Sequence, residues 1–136
     1  MLQRGLSLGL FGRFGRSAEL RAFEGALRSV DLHPNLVPGA VTLTAVKMLK
    51  EQAQGPDPAP QAYRAAAEII AYCMIGASSF AGANSPELAA QVEHRIDAAL
   101  DEDASLDAKL VLLMLHGRVI QPSVVDHFRL ESESGH

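Results

Sequence analysis

Chemistry in this chain, if there is any, starts at residues 65–83, "AAAEIIAYCMIGASSFAGA", where Glu68 is the single charge and Tyr72 follows it by four residues. On a helix that spacing puts a carboxylate one turn from a phenol, a pair suited to proton transfer or to anchoring a ligand. The plainer use of Glu68 is an ion pair with Arg64, also four residues away. Cys73 sits on the apolar row of Ile69 and Gly76, whereas a reactive thiol needs an electropositive, partly exposed setting. Neither Ser78 nor Ser79 stands in a nucleophile elbow, and no phosphate-binding glycine loop or dinucleotide fingerprint occurs.

Metal chemistry has two candidate places. The stretch "DEDASLDAK" spaces Asp101, Asp103, Ser105 and Asp107 like the first ligands of a calcium loop, but Leu106 and Leu112 stand where such a loop needs Gly and a bidentate Glu. These acids are better read as facing the N-terminus of the next helix. His94 and Asp97, with Glu93 beside them, could offer two ligands from one helix, yet no matching pair occurs elsewhere in the chain. His116 shares a strip with Ser105 and Lys109, and His127 adjoins Asp126. No metal ligand and no catalytic residue is assigned, no cofactor is expected, and the one pocket considered would use Glu68, Tyr72 and His116.

The elements that must carry these residues are helical. The chain has 136 residues, no Trp, and aliphatic side chains rather than rings to fill its interior. A first helix is expected from Ser17, with Leu20, Phe23, Leu27 and Val30 on one stripe, and a second from Pro38 with Val41, Ala45, Met48 and Leu49 inward. After the proline-rich "QGPDPAPQ" connection, a third helix spans about 60–82. A fourth begins at Ser85 with Pro86 and Glu87 in its first turn, and a fifth covers about 105–118 with its apolar "LVLLMLH" run. A last short helix holds Val124, Val125 and Phe128. The expected fold is all-α, a bundle of five to six helices with the third and fifth central.

Residues 65–83 are long enough to suggest a membrane span. The insertion gain of Ile69, Ile70, Ile75 and Phe80, roughly 0.3–0.6 kcal/mol each, about cancels against a central charge costing about 2.5–3.5 kcal/mol. The flanks also lack basic or aromatic anchors, so a buried helix is the better reading.

Charge divides the chain. Residues 1–16, "MLQRGLSLGLFGRFGR", hold Arg4, Arg13 and Arg16 and no acid; with a net charge of −4 overall, the other 120 residues carry −7. An acidic body argues against nucleic acid as a partner. Within it, residues 87–107 set seven acids against one base, Arg95. Residues 1–16 are read as a flexible basic and apolar arm, 17–130 as a single helical domain and 131–136 as a disordered tail. The arm's Leu10, Phe11, Arg13, Phe14 and Arg16 are its interaction residues, expected to pack on a groove of the same or a neighbouring chain.

The functional expectation is a small, soluble, non-catalytic helical module for protein interaction or regulation, self-associating into a homo-oligomer. A lone Cys and the absence of a good signal peptide place it in the cytoplasm. The alternatives are a ligand-binding or enzymatic domain at the Glu68/Tyr72 pocket, and a peripheral membrane protein held by the arm, whose three arginines could give only reversible binding to an anionic surface.

Overall fold

The structure, a computed structural model, describes residues 17–102 and 104–130. Among these residues it is all-helical: α1 (Ala18–Ser29), a 3-10 turn (Pro34–Leu36), α2 (Gly39–Gln52), α3 (Pro60–Ile75), α4 (Ala77–Ala83), α5 (Pro86–Ala99), α6 (Leu106–His116) and α7 (Pro122–Phe128). The arm residues Leu10, Phe11, Arg13, Phe14 and Arg16, the tail 131–136 and Asp103 lie outside the described residues.

Helix starts follow local chemistry. The hydroxyls of Ser17, Ser85 and Ser105 each accept a hydrogen bond at 3.0 Å from the backbone N–H three residues on, those of Leu20, Leu88 and Ala108. Each bond satisfies a donor that has no partner inside the helix. Pro60, Pro86 and Pro122 open α3, α5 and α7, where a missing N–H costs nothing.

The third helix departs from its expected length. In place of one element over 60–82, the chain breaks at Gly76, so the described residues form seven helices and not five to six. Gly76 has φ 90° and ψ 164°, a conformation that essentially only glycine adopts. The break exposes carbonyls at the end of α3, and Gln121 takes up two of them. Its backbone N–H donates to the Cys73 carbonyl at 2.8 Å and its side-chain amide to that of Met74 at 3.0 Å. A residue far along the chain thus stabilises the end of α3.

Around this axis the core closes. Along α3, Ala66, Ala67, Ile69, Ile70, Ala71, Tyr72 and Cys73 are all buried, so the helix is covered on most of its circumference. It packs against α1, α2, α4, α5 and α6 and is the hub of the domain. The α6 helix touches α2, α3 and α5. Its Leu110 and Met114 are fully buried, but Leu112 is 47% exposed, so the "LVLLMLH" run is not buried all round. Asn84, which ends α4, donates its side-chain amide to the Val30 carbonyl at 3.1 Å and fastens the end of α1.

Candidate functional site

The polar groups of the α3–α5–α6 seam meet at one guanidinium. Arg95, on α5, grips Asp107 of α6 with two bonds, Nε to Oδ2 at 3.2 Å and Nη2 to Oδ1 at 2.9 Å. Its Nη1 donates to Oε1 of Glu68 on α3 at 2.9 Å, and Nη2 also donates to the Ala65 carbonyl at 3.0 Å. The second oxygen of Glu68 accepts from Nε of Arg64 at 3.1 Å. The expected Arg64–Glu68 pair therefore exists as the outer edge of a larger network. Arg64 is largely exposed, whereas the Glu68 side chain is 13% exposed and Arg95 26%. A planar fork of donors suits this double grip, and it joins three helices through one side chain.

Tyr72 takes a different partner. Its hydroxyl donates to Oε2 of Glu93 on α5 at 2.7 Å, while its ring, 1% exposed, meets Phe80 edge-on at 5.7 Å and lies 6.3 Å from Phe128. Burial, with the Glu93 carboxylate as the next cause, raises the phenol above its ordinary range. It therefore stays a protonated donor near neutral pH, which suits a structural bond.

Glu68 and Tyr72 share a helix face, yet each binds its own residue of α5. His116 ends α6, exposed, nine residues beyond Asp107. At 1.5 Å rise per residue that is about 14 Å along the helix from the Arg95 grip. Glu68 bonds to Arg64 and Arg95, at the other end of α6 from His116, and Tyr72 bonds to Glu93.

The remaining candidates have local roles or sites. Burial pushes the Cys73 thiol up to about 12, the opposite of what nucleophilic attack requires. Ser78, Ser79, His94 and Asp97 are exposed. Ser105 caps α6 and Asp107 holds Arg95, so two members of the calcium-like stretch serve the fold. His127 stacks edge-on against Phe128 at 4.6 Å. Among the described residues no three His, Cys, Asp or Glu side chains cluster in a way that could hold a metal ion. No helix there is long and apolar enough to cross a membrane.

Arg95 and Glu93 are the residues that reasoning from helical spacing missed. A signal for Arg95 was present: a single base among seven acids is the natural focus of an ion network.

Several cavities open on the outer surface. Between the end of α5 and α6, a shallow cavity of about 120 Å³ is lined by Ala99, Leu100, Val111, Leu112, Leu115 and Leu130. Leu100 is 41% exposed there. A groove of about 280 Å³ runs beside the α2–α3 connection, bounded by Leu49, Ala53, Asp57, Pro58, Ala62 and Leu106. A third, of about 320 Å³, lies between α1, the 3-10 turn and α2, with Leu43 on its edge.

No family model, curated protein or solved structure matches this chain.

Proposed function

We propose that the protein is a small helical interaction or regulatory module, non-catalytic and without a cofactor, that works by self-association through the outer face of α5 and α6. The observation that carries this reading is the α5–α6 cavity. Every residue lining it is apolar, and two of its leucines, Leu100 and Leu112, remain over 40% exposed, whereas the core leucines Leu27, Leu49 and Leu110 are buried. Half-exposed leucines side by side are what a contact between proteins would bury. A second copy would remove it from water, at a gain of about 25 cal/mol for each Å² of apolar area covered.

The setting we infer is the cytoplasm, on the strength of the single buried thiol. The pocket reading at Glu68, Tyr72 and His116 draws less support, because Glu68 is held by Arg64 and Arg95 and the Tyr72 hydroxyl by Glu93. Sedimentation equilibrium tests the proposal. The wild-type chain should run above its 14.5 kDa monomer mass, and Leu100→Glu with Leu112→Glu should return it to that mass with the helical spectrum intact. A wild-type chain that stays at the monomer mass at high concentration would overturn it.

A further inference from the structure

We infer that the α5–α6 face meets the same face of a second copy across a two-fold axis, so that Asp97 and Asp101 of each chain stand against Lys109 of the other. The inference rests on the reading above that the chain self-associates through this face, and adds to it the symmetry of the contact and the charged pairs that set it.

Helical spacing places the charges. Leu100 and Leu112 open on one cavity. On α6, at about 100° per residue, Lys109 lies roughly 60° round the axis from Leu112 in one direction, whereas the cavity residues Ala108, Val111 and Leu115 lie in the other. Lys109 therefore edges the apolar patch on the flank turned away from α5, and His116, one turn beyond Leu112, lies on that same flank. On α5 the same spacing puts Asp97 one turn before Leu100, on the side opposite the cavity residue Ala99. Asp101 follows Leu100 on that side, where its backbone N–H donates to the Ala98 carbonyl at 3.2 Å and continues the turn. The leucines thus lie between an acidic flank on α5 and a basic one on α6. Asp97, Asp101 and Lys109 are exposed, and among the described residues none of the three forms an ion pair.

A patch with one acidic and one basic flank is complementary to itself when turned half a revolution. A two-fold axis sets each flank against the opposite flank of the partner, so acid meets base at both ends while the leucines of both chains close the middle. A head-to-tail contact would instead set Leu100 and Leu112 on the other two large exposed leucines among the described residues, Leu36 and Leu43. The groove beside Leu43 has Glu24, Asn35 and Thr42 in its wall. Covering it with leucine would take an acid and two polar groups from water without a partner in return. The two-fold contact buries apolar surface against apolar surface and leaves its charges paired at the rim.

The test is charge exchange in the full chain, read by sedimentation equilibrium. Lys109→Glu in one variant, and Asp97→Lys with Asp101→Lys in another, should each raise the dimer dissociation constant by about tenfold or more, because every changed contact occurs twice. An equimolar mixture of the two variants should form a heterodimer about as tight as the wild-type dimer. In it the unchanged Asp97 and Asp101 of one chain meet the unchanged Lys109 of the other, and the exchanged residues meet each other. Recovery in the mixture also shows that both variants are folded. A wild-type dimer whose affinity neither variant changes would overturn the inference. So would a mixture no tighter than the separate variants, and so would wild-type species that grow past the dimer with concentration, the mark of a head-to-tail contact. In each of these cases loss of association in Leu100→Glu with Leu112→Glu would leave the self-association reading standing, whereas a wild-type chain that stays monomeric overturns both.

Discussion

Helices α5 and α6 show two contrasting edges. Toward α3 they carry Arg95, Glu93 and Asp107, and each of these meets a fixed partner across a helix boundary. Away from α3 the same pair presents Leu100, Leu112 and Leu115 to a shallow cavity with no polar side chain in its wall. The acidity of residues 87–107 is thus partly absorbed within the domain, through Arg95, while Leu100 and Leu112 on the apolar side stay over 40% exposed. Net charge along a segment says little about which groups remain available; the partners decide that.

The sharpest way to break this contrast is to remove its hub. Arg95→Met should lower stability by about 2–3 kcal/mol, or on the order of 10 °C in Tm, because Glu68 and Asp107 would lose a partner in a partly screened position. Urea unfolding measures this. Repeating it in a Glu68→Gln, Asp107→Asn background should recover most of the loss, and a full-sized loss there would show that packing of the arginine stem, not charge, carries the effect.

Gly76→Ala comes next, at about 1–3 kcal/mol, since the added Cβ forces a residue into a backbone region reserved for glycine and sets it 3.4 Å from the Ser123 hydroxyl oxygen. Thermal unfolding that leaves Gly76→Ala indistinguishable from wild type would mean that α3 and α4 can run on as one helix.

Alkaline pH probes the buried side of α3. Burial pushes the Cys73 thiol from 9.0 to about 12 and raises the Tyr72 phenol above 10.0. The folded chain then holds protons that the unfolded chain releases. Stability is full below about pH 9 and falls as pH climbs from there toward 12, by up to about 1.4 kcal/mol per pH unit for each group titrating. Cys73→Ala should flatten the early part of that decline, and unfolding free energies measured across the range would show it. The smallest effect belongs to Arg64→Ala, under about 0.5 kcal/mol, because its bond to Glu68 lies at the solvent edge. A larger loss would make the outer arginine as important as Arg95 and dissolve the distinction between them.

Sequence reading went furthest where the cause is local. Ser17 and Ser85 start helices because the signal lies within four residues, and the stripe of Phe23 and Leu27 predicts their burial. It stopped at Gly76, which reads as one more small residue on a helical row. What ends α3 there is a positive φ together with Gln121 arriving from 45 residues away, and no local pattern announces that. The Glu68–Tyr72 spacing was legible, but their partners Arg95 and Glu93 come from another helix. Only the charge pattern, one base among seven acids, pointed toward the first of them, and nothing in the spacing pointed to the second.

Amide hydrogen exchange, followed by mass spectrometry at low and high protein concentration, tests the central contrast most directly. Self-association through the outer face predicts that exchange slows with concentration over residues 99–115 at the Leu100 and Leu112 surface, while amides of α3 beside the Arg95 grip exchange at the same rate at both concentrations. Exchange that is independent of concentration over residues 99–115, or that slows only at Leu36 and Leu43, would contradict it.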